Sequence, residues 1–428
     1  MNIGISRLSN GLTIVTDPMP QLESAALGVW VNCGARNESR PLMGVSHMLE
    51  HMAFKGTERR SARGIAEEIE TVGGFLNAYT GREQTAFHAQ VLKADVPLAL
   101  DILADILTHP TFDQTELERE RQVVLQEIGQ ARDTPDDVIF DHLQATIYPH
   151  QPMGWPILGE DDTVAGFSRG DLQSYMAGNY RAGSMVVVAS GAVDHEMVVR
   201  LCEEKFSSLP PGTTPTPATA QWIGGESRVA DDLEQAHMTF AFPGLCHTDP
   251  DIYALQVYTM ALGGGMSSRL FQEVREKRGL CYTISAMAQS ATDGGVVAIY
   301  TGTGEQEARE IAPVVAGEMA ALASQPGEAE ITRARAQLKS ALLMGLERPA
   351  NRAEQLASQL LTHGRIVDVG EQIAKLGEVD AAAIRRVGER LMATERPAMA
   401  SLGPVGKLES FGTFAARFGG TVAMRAAE

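Results

Sequence analysis

Residues 47–51 read HMLEH, inside the run GVSHMLEHMAFKG. Two histidines around a glutamate are residue types that hold and use a metal ion. Val45, Met48, Leu49 and Met52 fall at i, i+3, i+4 and i+7, the spacing of one buried face of an α-helix. His47, Glu50, His51 and Phe54 repeat that spacing on a second stripe. Such a helix buries one stripe in a core and presents two imidazoles and a carboxylate together. Histidines four residues apart on a helix reach one zinc ion, and a neighbouring carboxylate can serve a water on it. Surface histidines beside an acid would spell the same five letters, so the rest of the chain must supply the missing parts.

A catalytic zinc takes three protein ligands and keeps one position open. The best source of a third ligand is TFDQTELERERQVVLQEIGQ, residues 111–130. Asp113 with Glu116 three residues on predicts a capping box and a helix start. Glu120, Val123, Val124 and Glu127 then share one stripe, so two carboxylates sit two turns apart on a half-apolar face. A carboxylate buried there needs a partner. A zinc ion satisfies that need, and so does a buried ion pair with Arg119 or Arg121; the residues alone leave both open.

The elements that must position these groups follow from pattern. LTIVTD, ALGVWVNC, TAFHAQVL, MVVVASG and HMTFAF read as strands, and TISAMAQS–ATDGG–VVAIYTG as a hairpin turning at Asp293-Gly294. Long helical patterns lie between them. The Pro, Thr and Gly of SLPPGTTPTPATAQWIGG, residues 208–225, mark a linker. Both halves end alike: RAGSMVVVASGAVDHEMVVRLCEEKF and RPAMASLGPVGKLESFGTFAARF each run Arg, short strand, Gly-x-Val, then a helix ending in Phe, half a chain apart. The expected architecture is α+β, with two duplicated domains, each a mixed β-sheet packed with α-helices. The expected boundaries are 1–210, a linker over 211–227, and 228–428.

Composition narrows the function classes. The 428 residues are 44% hydrophobic and contain no apolar run long enough to span a bilayer. Neither a secretory signal nor an Arg-rich transit segment is visible at the N-terminus. The four cysteines are scattered without a C-x-x-C pair, which fits a reducing compartment: the cytoplasm, or the mitochondrial matrix for a trimmed chain. A net charge of −18 argues against nucleic acid as a partner and suits a basic substrate.

HMLEH resembles the inverted zinc motif of the pitrilysin/insulinase peptidases, where the glutamate follows the first histidine by three residues. The resemblance continues through GGFLNAYTGREQTAF (73–87) and reappears in GGGMSSRLFQEVREKRGLCYTISA (263–286), so it spans nearly the whole chain. Length and two-unit layout are similar to the small, dimeric, processing-peptidase branch. The resemblance implies that His47, His51 and Glu127 bind one zinc ion per active chain, with Glu50 as general base and Glu120 in support. It implies that Asn77 and Ala78 hold the substrate backbone at a sheet edge and that Phe54 walls a side-chain pocket. Arg275 and Tyr282 would contact the substrate and its oxyanion, and Asp137 and Asp141 would hold a substrate arginine, although the family's first acid there is a glutamate. The expected activity is endopeptidase cleavage of unfolded or basic presequence-like peptides. The expected assembly is a homodimer or a heterodimer with a related subunit, enclosing a chamber. The alternatives are a catalytically silent partner subunit and a zinc hydrolase of non-peptide bonds.

Overall fold

The computed structural model describes residues 3–419; the ends of the expected domains, 1–2 and 420–428, lie outside it. Eleven strands form two mixed sheets among the described residues. The first holds β1 (Gly4–Arg7), β2 (Thr13–Pro18), β3 (Ser24–Val31), β4 (Phe75–Thr80), β5 (Thr85–Leu92) and β6 (Met185–Gly191), in the order β1-β2-β6-β3-β5-β4. The second holds β7 (Gly225–Ala230), β8 (Ala236–Pro243), β9 (Cys281–Ser290), β10 (Gly295–Thr303) and β11 (Ala398–Gly403), in the order β7-β11-β8-β10-β9.

Helices of the first half are α1 (Val45–Ala53), α2 (Ala62–Thr71), α3 (Val96–Thr108), α4 (Gln114–Arg132), α5 (Pro135–Ile147), α6 (Asp161–Gly166), α7 (Arg169–Asn179) and α8 (His195–Phe206). Those of the second are α9 (Ile252–Gly263), α10 (Ala308–Ser324), α11 (Glu328–Gly345), α12 (Pro349–His363), α13 (Val369–Glu378), α14 (Ala381–Met392) and α15 (Phe411–Ala415), with a π-helical segment at Phe271–Lys277.

The duplication expected from the two strand–helix endings extends to the entire topology. Remove the edge strand β1, and β2-β6-β3-β5-β4 becomes β7-β11-β8-β10-β9 in the same chain order. The pairing senses agree too: the first pair is parallel in both sheets, and the other three are antiparallel. Five helices fill the interval from β5 to β6, and five fill that from β10 to β11. The hairpin expected at Asp293-Gly294 is β9–β10. Within the repeat, α1 occupies the place of α9, which is apolar almost throughout and carries no histidine.

The domain boundaries need correction. The chain separates into two compact units, but they are not its two contiguous halves. One contains residues 1–130, 155–218 and 344–366; the other contains 131–154, 219–343 and 367–428. The exchanged pieces are α5 and α12, which stand at equivalent places in the repeat. In the first unit α12 covers β2, β3 and β6; in the second α5 covers β7, β8 and β11, the equivalent strands. Apolar side chains explain the attachment. Ala353, Leu356 and Ala357 of α12 pack with Val15, Trp30, Val186 and Val188. Ile139, Leu143 and Ile147 of α5 pack with Ala241, Ala298, Ala400 and Leu402. Each sheet therefore has its main helical layer on one face and a single helix on the other, which is why its central strands are buried on both faces. Among the described residues, no helix is long and apolar enough to cross a membrane.

Candidate active site

Helix α1 forms as its periodicity predicts. Val45, Met48, Leu49 and Met52 are fully buried in the main core of the first unit, and the other stripe is left to face α4 and β4. On α4 the buried positions are Leu117, Glu120, Val124 and Ile128. Val123, expected on the buried stripe, is exposed, and Glu127 stands at the margin of that stripe. The capping expectation holds in half: Asp113 accepts from the amides of Thr115 and Glu116, while the Glu116 side chain pairs with Arg119 instead of folding back.

The two helices bring His47, His51 and Glu127 together, with one ligand atom from each within 4.8 Å of the others. Glu127 Oε2 lies 3.6 Å from His47 Nε2 and 3.5 Å from His51 Nε2. These separations are long for hydrogen bonds. They match a shared tetrahedral ion, since donors at about 2.0–2.2 Å from zinc stand about 3.3–3.6 Å apart. The donor set, two imidazoles and one carboxylate, is one that zinc accepts with a position to spare. Neither arginine considered as an ion-pair partner on α4 serves Glu120 or Glu127: Arg119 binds Glu116, and Arg121 donates to the carbonyl of Phe167.

Electrostatics separate the two histidines. Burial, helped by the neighbouring His51 charge, pushes the His47 imidazole down to about 4, so it is neutral and open to a metal near neutral pH. At His51, burial acts downward but is outweighed by the hydrogen bond to Glu120 and by the nearby carboxylates, and its pKa rises. Burial raises Glu50 from its ordinary value, although hydrogen bonding from Thr80 and the His51 charge pull the other way. A carboxyl shifted upward toward neutrality is better matched to accept and return a proton. For Glu120, burial is overcome by the hydrogen bonds from His51 and Lys55, and it stays ionised.

Around this centre lie residues that the sequence did not single out. Glu120 Oε2 is 3.0 Å from His51 Nδ1, and Lys55 Nζ is 2.6 Å from Glu120 Oε1. His51 Nδ1 is thus held by a carboxylate that is itself ion-paired with Lys55, an arrangement that fixes the orientation of the ring. Lys55 continues the His47, His51 stripe by one more turn, a spacing that could have marked it. Thr80, the last residue of β4, donates its hydroxyl to Glu50 Oε2 at 2.5 Å. Glu38, six residues upstream of Gly44, and Tyr175, from a distant segment, bind the first turn of α1; no regular spacing signals them.

The remaining expected residues fall as follows. Asn77 and Ala78 lie on β4, the last strand of the first sheet, whose outer side has no neighbour in that sheet. The Asn77 side-chain oxygen accepts the Ala78 amide at 2.8 Å. Phe54 caps α1 and is partly buried, its ring 6.2 Å from that of Phe87, so it also serves the core. Arg275, on the π-helical segment, lies over the Phe271 and Tyr282 rings at 4.6 and 4.9 Å, and Tyr282 is largely exposed. Asp137 and Asp141 sit one turn apart on α5, and therefore belong to the second unit.

Comparison with known proteins gives the family. The family model of insulinase, peptidase family M16, matches residues 13–161, the part that holds His47, Glu50, His51, Glu120 and Glu127. The model of the peptidase M16 inactive domain matches residues 166–338. An uncharacterized zinc protease of Rickettsia felis is 37% identical over 394 residues, covering 92% of this chain and 96% of that protein. A mitochondrial-processing peptidase subunit beta of Lentinula edodes is 34% identical over 426 residues, covering 95% and 91%. In fold, the crystal structure of a protease from Helicobacter pylori superimposes with a TM-score of 0.89 at 21% identity, covering 94% of this chain and 99% of that one. On sequence, topology and site geometry, the chain belongs to peptidase family M16, the insulinase family.

Proposed function

We propose that this chain is a zinc-dependent endopeptidase that cleaves unfolded peptides, including basic, presequence-like ones. The observation that carries the reading is the convergence of His47, His51 and Glu127 at metal-donor spacing, with Glu50 beside them on the same helix. The names of the relatives support it.

Zinc held by these three residues supplies a Lewis acid that polarises a peptide carbonyl and brings a water's pKa toward neutrality. Glu50 takes a proton from the attacking water as its oxygen bonds to the carbonyl carbon, and passes that proton to the amine as the C–N bond breaks. Thr80 holds one Glu50 oxygen, leaving the other for this transfer. Glu120, backed by Lys55, keeps the His51 ring in place. The unpaired side of β4 suits addition of an extended peptide through main-chain hydrogen bonds, which requires an unfolded substrate and tolerates varied side chains. Asn77 and Ala78 are the positions for those bonds, and Phe54 contacts a substrate side chain. The reading gives Arg275 and Tyr282 the role of donors to the developing oxyanion. It gives Asp137 and Asp141 that of partners for a substrate arginine. The chain acts paired, with a second copy or with a related subunit.

The test is zinc content and cleavage of a quenched peptide, measured on the purified chain alone and with a related subunit. One zinc per chain and cleavage that Glu50→Gln abolishes, with zinc retained, are expected. Absence of zinc binding, or full activity in Glu50→Gln, overturns the proposal.

A further inference from the structure

Glu38 is a buried carboxylate with no part in the chemistry above. It follows β3 by a short 3-10 turn and is only 5% exposed. Its Oε2 accepts the Gly44 amide at 2.7 Å, and its Oε1 accepts the Ser46 amide at 2.8 Å. Gly44 is the N-cap of α1, Ser46 is in its first turn, and His47 comes next. A helix start leaves backbone N–H groups without partners and carries a partial positive charge. The two Glu38 oxygens answer the first need, although burial raises the carboxyl to about 7.

The need for a remote cap can be traced. At several other helices the cap residue supplies its own side chain, as Ser61, Ser168, Asp194 and Asp380 do for α2, α7, α8 and α14. Position 44 cannot do so. Its φ is +90°, and a Cβ there would lie 2.7 Å from the Cα of Gly159 and 2.8 Å from the carbonyl oxygen of Leu158. Only glycine fits, glycine has no side chain to cap with, and the carboxylate arrives from six residues upstream. Further contacts pin the same turn: Ser46 Oγ is 2.8 Å from Tyr175 Oη, and Thr163 donates to the Met43 carbonyl at 2.8 Å.

The two ligand histidines also differ. The ring of His51 is oriented by Glu120, whereas Nδ1 of His47 is buried without a hydrogen-bond partner. The direction of the His47 ring is therefore set by where its backbone stands.

We infer that Glu38 is a positioning residue for the zinc site, fixing the first turn of α1 against the sheet so that His47 Nε2 converges with His51 and Glu127. This rests on the zinc reading above, and it predicts metal affinity, which can be measured without any substrate. Glu38→Gln keeps size and shape but turns an amide NH₂ toward a backbone N–H, so one of the two bonds is replaced by a repulsion.

The experiment titrates the metal-free full chain with zinc against a chelating dye, for the wild type, Glu38→Gln and Asp194→Ala. Asp194→Ala removes a helix cap on α8 and controls for a general loss of stability. Supporting remote partners of metal ligands typically contribute ten- to a hundredfold to affinity, so Glu38→Gln should bind zinc about tenfold more weakly or worse, with Asp194→Ala at the wild-type value. Equal affinity in Glu38→Gln and wild type overturns the inference, as does equal weakening in both variants. If Glu38→Gln fails to fold, Glu38→Asp, too short to bridge both amides, is titrated in its place under the same criteria. A wild type that does not bind zinc fails the function proposed above, a result distinct from either outcome.

Discussion

Thr80 donates its hydroxyl to Glu50 at 2.5 Å, and so ties the open edge of the first sheet to the helix that carries both histidines. On the function proposed above, the same short strand would offer its backbone to a peptide and hold the base that acts on it. A hydrogen bond to a charged group is worth about 1.5–3 kcal/mol. Thr80→Val, nearly the same shape without the donor, should lower kcat about tenfold or more, with KM and zinc content close to wild type. Thr80→Ser should restore most of the loss. A variant in which KM rises while kcat holds would make Thr80 a substrate contact instead.

The two glutamates of α4 should separate by metal content. Glu127→Gln removes a donor and should leave the protein without tightly bound zinc after dialysis. Glu120→Gln keeps all three donors but loosens His51 and leaves Lys55 without its partner. Its zinc affinity should fall less, about ten- to a hundredfold, with activity reduced. Elemental analysis after dialysis distinguishes the two, and the reverse order would mean that their roles are exchanged.

Asp137 and Asp141 share a face of α5. If they hold a substrate arginine, the double variant Asp137→Asn/Asp141→Asn should raise KM for a peptide with Arg upstream of the cut and leave its Ala counterpart unchanged. Added salt should weaken the wild-type preference, since Asp137 is exposed. Equal effects on both peptides would make the pair structural.

Acid stability should depend on Asp101. Burial opposes its ionisation, but hydrogen bonds from Arg60 at 2.5 Å and Lys205 at 3.0 Å outweigh that and hold it at about 2. In an unfolded chain an aspartate titrates near about 3.9. The folded pKa is the lower one, so the stabilisation is complete above about pH 4 and is lost as pH falls toward 2. Asp101→Asn should cost up to about 2 kcal/mol at neutral pH. In urea unfolding at decreasing pH, the gap from wild type should close over that window, and a gap that stays constant would count against the ion network as its source.

Much of this was legible in the sequence where local pattern governs. TAFHAQVL and MVVVASG are β5 and β6 to the residue, because short apolar runs bounded by polar or turn-forming residues leave little choice. The stripes of α1 announced the buried face and the one that meets Glu120 and Glu127. Val123 was misplaced because α4 turns its buried face toward Glu120 and Val124, a rotation set by packing rather than by spacing. Lys55, Thr80 and Glu38 were missed since each acts on a partner brought near by the fold. The attachment of α5 to the second unit was missed for a related reason: its apolar positions state that it must be covered, not by which sheet.

That exchange sets a schedule for synthesis. The first sheet has all its strands once Gly191 has been made, yet the helix that closes its second face ends at His363. At about 5–20 residues per second, the strip containing Val15, Val186 and Val188 stays bare for roughly ten to thirty seconds on the ribosome. Over the same interval α5 is finished and waits for β11, which is complete only at Gly403. Neither half can be completed in turn; the chain must hold both open and close them late, within the span in which a chaperone has something to bind.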